Sequence, residues 1–260
     1  MTITQAVISG VLQGVTEFFP VSSSGHLVLL HSLFGFKEEM LSFDVFLHFG
    51  TILSVVIFFH KDILEMFQKD MRLLKFIIVA SVPTFIIGII FKDVAENFFS
   101  MPLVVGSSLI ITGLFLLFAS IWAIYWKIVR RPRPLGVKNS IAIGIAQGIS
   151  VLPGISRSGA TIGTALIAGL DEAEALKFSF LLSIPAVLGA NVLKVRQIYG
   201  NLISGDTVVF LAGAIAAAVT GFLVIKALFG IMRKNLFFLF GIYCISIGAA
   251  VVILSTPPLP

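Results

Sequence analysis

Charge is what this sequence lacks most. Asp, Glu, Lys and Arg supply 12% of its 260 residues, while 58% are hydrophobic and the mean hydropathy is +1.07. A soluble domain carries roughly 25% charged residues, so a water-soluble globular fold is excluded and the chain reads as a polytopic membrane protein. Cysteine is nearly absent as well: Cys244 is the only one and lies in an apolar run. No internal disulfide can form, and a redox compartment cannot be read from it. The N-terminal stretch Met1-Thr2-Ile3-Thr4-Gln5 lacks a basic n-region, and Gln13 and Glu17 interrupt the apolar run that follows, so no signal cleavage is expected. The net charge of +5 does not indicate nucleic acid. The Lys and Arg residues lie between apolar runs, where bilayer orientation explains them, and no nucleic-acid partner is expected.

One polar stretch breaks the apolar background: Gln13-Gly14-Val15-Thr16-Glu17-Phe18-Phe19-Pro20-Val21-Ser22-Ser23-Ser24-Gly25-His26. It recurs 134 positions later as Gln147-Gly148-Ile149-Ser150-Val151-Leu152-Pro153-Gly154-Ile155-Ser156-Arg157-Ser158-Gly159-Ala160, without a gap. Gln, Gly, Ser, Ser and Gly match at 13/147, 14/148, 22/156, 24/158 and 25/159. The differences carry the chemistry. Glu17, Ser23 and His26 face Val151, Arg157 and Ala160, so the acid and imidazole sit in one copy and the cation in the other. The pair reads as one composite site.

Length divides the rest. A helix needs about 20 apolar residues to cross the hydrocarbon core, and roughly 10–14 suggests a re-entrant or buried segment. Residues 5–16 and 26–36, and again 139–150 and 160–170, are too short to span and flank the two motifs. Each pair is expected to form a hairpin that dips into the membrane and returns. Spans are expected at about 43–60, 76–91, 102–125, 176–194, 207–229 and 236–255. The expected fold is therefore an all-α single membrane domain over 1–260 built as an inverted repeat, each half one re-entrant hairpin plus three transmembrane helices. Repeat 1 covers about 1–126, a basic linker 127–138, and repeat 2 about 138–260. Gly10/Gly144, Gly35/Gly169 and Phe46/Phe180 share the offset, and Gly106/Gly241 and Gly113/Gly248 lie one residue further out.

With the first hairpin entering from one side, the opposite side collects Lys61, Lys69, Arg72, Lys75, Lys127, Arg130, Arg131, Arg133, Lys138, Lys177, Lys226, Arg233 and Lys234, whereas its own side holds only Lys37, Lys92, Lys194 and Arg196. That asymmetry assigns the basic side to the cytoplasm and leaves both termini and the first hairpin's mouth outside. Arg157 falls near membrane depth, where an arginine is costly and by default functional.

Glu17 and Gln13 are four apart and share a helix face. Their oxygens suit a hard cation, Mg²⁺ or Ca²⁺, or else plug a helix end. The Ser/Gly turns 22–25 and 156–159 precede short helices, where free N–H groups and hydroxyls can hold an anion; Ser capping is the plainer reading. Arg157 offers a planar fork of donors to phosphate, or a buried ion pair with Glu17. His26 lies three residues after Ser23, a spacing that allows it to act as base, nucleophile or leaving-group acid. His31, His48 and His60 are left structural, and Asp44 and Thr51 are possible cavity-lining positions. An acid, a metal-capable pair, a hydroxyl, an imidazole and an arginine at such turns describe phosphoryl transfer, and the apolar setting points to a lipid-borne phosphate.

The motifs Gln13-Gly14-x-Thr16-Glu17-Phe18-x-Pro20-Val21-Ser22-Ser23-x-Gly25-His26 and Pro153-Gly154-x-Ser156-Arg157-Ser158-Gly159-x-Thr161 resemble the signatures of the bacterial undecaprenyl-diphosphatase family associated with bacitracin resistance. Length and hydropathy agree along the whole chain. The resemblance implies a multi-pass enzyme of the bacterial plasma (inner) membrane that hydrolyses undecaprenyl diphosphate to undecaprenyl phosphate and inorganic phosphate, recycling the lipid carrier of peptidoglycan synthesis with a divalent cation. It implies catalytic roles for Glu17, Ser23, His26 and Arg157 and metal binding by Gln13 and Glu17; the Ser/Gly turns add expected substrate contacts at Ser22, Ser24, Gly25, Ser156, Ser158, Gly159 and Thr161. This chain carries Gln13 at the first of two acidic positions, which puts more of the metal binding on Glu17. Neither spacing nor resemblance decides between Ser23 and His26 as nucleophile; Ser23, assisted by His26, is carried forward. A polyprenyl-phosphate transporter or flippase is the alternative, and a scaffold for wall assembly a third reading. The oligomeric state is left open, a homodimer included.

Overall fold

The computed structural model describes residues 1–36, 40–99, 101–129, 132–198 and 207–255. These form eleven helices and, among the described residues, no strand. They are α1 (Ile3–Phe18), α2 (Ser23–Leu33), α3 (Leu41–Phe58), α4 (His60–Gln68), α5 (Arg72–Phe99), α6 (Pro102–Val129), α7 (Val137–Ile149), α8 (Arg157–Ile167), α9 (Glu172–Ile198), α10 (Thr207–Arg233) and α11 (Phe238–Ser255). Five of them (α5, α6, α9, α10 and α11) are long and apolar enough to cross a bilayer, and α3 with α4 makes a sixth if that pair, bent by 68°, counts as one span. The chain is a multi-pass membrane protein. All four short helices predicted around the motifs are present, none longer than the 16 residues of α1. No sequence signal predicted α4, an amphipathic helix that continues α3 beyond the bend at Phe59. Lys37, Arg130 and Arg131 lie outside the described residues.

Local chemistry sets the ends of the motif helices. Thr2 and Gln5 form a reciprocal capping box that starts α1. Phe19 leaves the helix for extended backbone because it precedes Pro20. After α2 and α8 the chain turns on Gly35 and Gly169, both at positive φ (74° and 92°), which only glycine adopts without strain.

In lipid there is no hydrophobic drive to bring helices together, so close packing and small residues decide which ones pair. The most extensive packings are α6 against α11, α1 and α3 along α10, and α7 along α5. Gly10 lies on the Gly213 carbonyl and Gly144 on the Ala80 carbonyl, with no room for a Cβ at either. A Cβ on Gly113 would sit 2.6 Å from the Gly241 oxygen, and one on Gly106 would sit 3.0 Å from the Gly248 oxygen. Between these pairs lies a shared core in which Phe18 meets Phe180 edge to face at 5.3 Å.

The basic ends of the helices gather on one face. Lys177 at the start of α9 pairs with Asp62 of α4 at 2.5 Å, and Lys127 at the end of α6 meets Glu172 and the Asn235 side chain. The chain entering α7 and the chain leaving α8 also meet there, Arg133 N–H donating to the Gly169 carbonyl at 2.8 Å. The same Arg133 stacks its guanidinium over Trp126, 4.7 Å from the ring centre.

Leucine at Gly113 is expected to force α6 from α11 and cost about 1–3 kcal/mol, read as a lower melting temperature in detergent. Alanine at Gly88, where a Cβ meets nothing within 4 Å, is expected to be neutral or slightly stabilising.

Candidate active site

The last turn of α1 presents Gln13 and Glu17 on one face, with Gln13 Nε2 donating to Glu17 Oε2 at 3.0 Å. Pro20 and Val21 then turn the chain, and α2 begins at Ser23, whose Oγ donates to the same Glu17 oxygen at 2.7 Å. From the other half, Arg157 at the start of α8 donates from Nη2 to Glu17 Oε1 at 2.5 Å. Both side chains are largely buried, 16% exposed for Arg157 and 7% for Glu17. The turns themselves touch: Ser158 Oγ donates to the Phe19 carbonyl at 3.2 Å, and a Cβ on Gly25 would lie 3.9 Å from Gly154 Cα. Thr112 of α6 braces the second turn, donating to the Gly154 carbonyl and accepting from Ser156 N–H. The two motifs, 134 residues apart in sequence, therefore meet around one carboxylate.

The two turns are built differently. Ser156 has φ −73° and caps α8 in the ordinary way, its Oγ accepting from Gly159 N–H at 3.1 Å. Ser22, its counterpart, stands at φ 68° and makes no capping bond, its Oγ lying 3.4 Å from Ser24 Oγ. Such a backbone costs a non-glycine residue about 1–3 kcal/mol. The amino end of α2 is thereby left without a side-chain cap, with Ser24 half-buried and Gly25 buried beside it. In the second copy the hydroxyls have protein partners. Thr161 Oγ1 lies 2.9 Å from the Arg157 carbonyl and 2.5 Å from Ser179 Oγ, and Ser156, Ser158, Gly159 and Thr161 are all buried. Their hydrogen bonds rigidify the turn that carries Arg157.

His26 does not turn to Ser23. Its Nδ1–H donates to the Ser22 carbonyl at 2.8 Å, and its Nε2 lies 2.8 Å from the hydroxyl of Tyr243 on α11. A helical side chain leans back toward the preceding turn, so the ring reaches Ser22, while the Ser23 hydroxyl points across to Glu17. The sequence did not signal Tyr243, a ring in an apolar run. Nor did it single out His48, which stands on α3 and bonds through Nδ1 to the Asp44 carbonyl at 2.7 Å. Thr51 is buried and donates to the His48 carbonyl at 2.9 Å.

Two buried polar atoms at the site have no hydrogen-bond partner among the described residues: Gln13 Oε1 and Arg157 Nη1. One is an acceptor and the other a cationic donor, and each normally demands a partner when buried. Among the described residues no cluster of three or more His, Cys, Asp or Glu side chains is arranged to hold a metal. A carboxylate beside a free amide oxygen does fit a hard cation that takes its remaining ligands from a substrate and water, as Mg²⁺ commonly does.

The family described as bacitracin resistance protein BacA matches residues 6–250 of the chain. Relatives named undecaprenyl-diphosphatase include one from Desulforapulum autotrophicum, 40% identical over 277 residues and covering 97% of this chain and 98% of its own. Another, from Carboxydothermus hydrogenoformans, is 42% identical over 255 residues, covering 96% and 97%. A third, from Halothermothrix orenii, is 39% identical over 259 residues, covering 98% and 99%.

Glu17→Ala leaves Arg157 buried without its counter-ion and is expected to cost about 3–5 kcal/mol of stability. Removing both charges in Glu17→Ala/Arg157→Met is expected to recover much of that loss. The four melting temperatures of this double-mutant cycle check the coupling.

Proposed function

The chain belongs to the bacitracin resistance protein BacA family, and on that premise we propose that it is an undecaprenyl-diphosphatase. It is a membrane hydrolase that cleaves undecaprenyl diphosphate to undecaprenyl phosphate and inorganic phosphate, renewing the lipid carrier of peptidoglycan synthesis. The observation that carries this reading is the buried Arg157–Glu17 pair with Ser23 bonded to the same carboxylate and Arg157 Nη1 left unpartnered.

The diphosphate enters over the open amino end of α2, where N–H groups and the helix dipole favour an anion. Arg157 turns its fork from Glu17 to the phosphate oxygens, and Ser22, Ser24 and Gly25 line the same cradle. Ser156, Ser158, Gly159 and Thr161 serve by holding Arg157 in place. With Arg157 drawn to the phosphate, Glu17 Oε2 accepts the Ser23 proton through the 2.7 Å contact already present. Ser23 Oγ forms a bond to the terminal phosphorus as the bond from that phosphorus to the bridging oxygen breaks, releasing undecaprenyl phosphate. Water then cleaves the phosphoserine. His26 assists proton movement at the same turn.

Gln13 and Glu17 would hold a divalent cation, Mg²⁺ or Ca²⁺, together with substrate oxygens. Bound there, it would neutralise diphosphate charge. A transporter or flippase needs Arg157 and the turns, but it has no use for a serine hydrogen-bonded to a buried carboxylate.

We read the architecture as an inverted repeat, α1–α6 against α7–α11, with α1–α2 and α7–α8 as re-entrant hairpins. Support comes from matched packing, α1 on α10 as α7 on α5, and from the reciprocal contacts of Gly106 with Gly248 and Gly113 with Gly241. Exchange of the halves maps one glycine contact onto the other. Positive-inside counting puts both termini and the mouth of the α1–α2 hairpin on the extracytoplasmic side.

Phosphate release from undecaprenyl diphosphate in detergent is expected to cease with chelator and return with Mg²⁺ or Ca²⁺. Ser23→Ala and Arg157→Ala are each expected to slow it by about 10²–10³-fold. Unchanged rates in both variants would abandon the assignment. In a Cys244→Ser background, Lys138→Cys is expected to resist an impermeant maleimide in intact cells and to react once the membrane is opened.

A further inference from the structure

We propose that Tyr243 is a positioning residue for His26, fixing the orientation and tautomer of the imidazole through a hydrogen bond at Nε2. The inference rests on the reading of His26 as part of the hydrolytic site. A carbonyl oxygen only accepts, so the 2.8 Å contact with the Ser22 carbonyl requires the proton on Nδ1. The Nε2 of a neutral ring then carries a lone pair, and the Tyr243 hydroxyl, at 2.8 Å, donates to it. The rings stand nearly parallel, 12° apart with centres 5.7 Å from each other.

The bond satisfies both groups. His26 is 9% exposed and its ring nitrogen needs a partner, and Tyr243 sits on a helix long and apolar enough to cross a bilayer, where a phenol hydroxyl also needs one. Tyr243 is itself well anchored. On the same helix, Cys244 Sγ approaches the Pro20 carbonyl at 3.4 Å, and Phe240 packs on Phe19 with ring centres 5.0 Å apart. One turn of α11 thus grips the catalytic hairpin at Phe19, Pro20 and His26. The Gly113–Gly241 contact clamps that turn to α6.

The test is a double-mutant cycle on phosphate release, with Tyr243→Phe keeping the ring and removing only the hydroxyl. The expected result is a fall of about tenfold in kcat at nearly constant KM, and no further loss when Tyr243→Phe is added to His26→Ala. In ¹⁵N-histidine-labelled protein, the His26 Nε2 resonance is expected to move in Tyr243→Phe toward that of a free pyridine-type nitrogen. An equal loss in both backgrounds, or wild-type kcat with an unmoved resonance in Tyr243→Phe, overturns the Tyr243 link while leaving His26 in the site. Wild-type turnover in His26→Ala instead overturns the role of His26, and the link with it.

Discussion

The ion pair between Arg157 and Glu17 is the constraint on which the rest of the structure depends. An arginine in a chain this apolar is tolerated only with a counter-charge, and the carboxylate that supplies it lies 140 residues away in the other half. The two motif turns must therefore touch, and the helices that carry them must approach closely. Glycine provides the approach, at Gly10 on α10 and Gly144 on α5. In the proposed reaction an anion competes for the guanidinium, and the event that binds phosphate frees the carboxylate next to Ser23 to act as base.

The two copies of the motif divide this work unequally. The second is relaxed: Ser156 caps, Ser158 bonds to the Phe19 carbonyl, Thr161 is buried in hydrogen bonds, and Arg157 is the one group they present. The first is strained at Ser22 and leaves a helix end open. Strain of this kind persists only where surrounding packing holds it. Here the holding comes from outside the motif, through α11 at Phe19, Pro20 and His26 and through α8 at Phe19.

Much of the site was legible because its signals are local. The i, i+4 spacing of Gln13 and Glu17 is enough to bring their side chains together on a helix, and Pro20 after Phe19 is enough to stop it. The duplicated motif announced that Arg157 belongs with Glu17. Contacts set by packing between distant helices were not legible. The spacing of Ser23 and His26 suggested a pair, yet Ser23 bonds Glu17 and His26 bonds Ser22 and Tyr243. The bend that separates α4 from α3 has no proline or glycine to mark it.

Sequence by itself determined the class of protein, the places of its apolar segments, the duplication of the motif, and the chemical types gathered in each copy, because composition, helix period and turn chemistry act over a few residues. Only the tertiary structure decided which oxygen of Glu17 meets Ser23 and which meets Arg157, that Gln13 Oε1 and Arg157 Nη1 stay unpartnered, and that Tyr243 closes on His26. Those are relations between side chains up to 217 residues apart. They depend on how closely helices without a hydrophobic drive between them can pack, which no local pattern encodes.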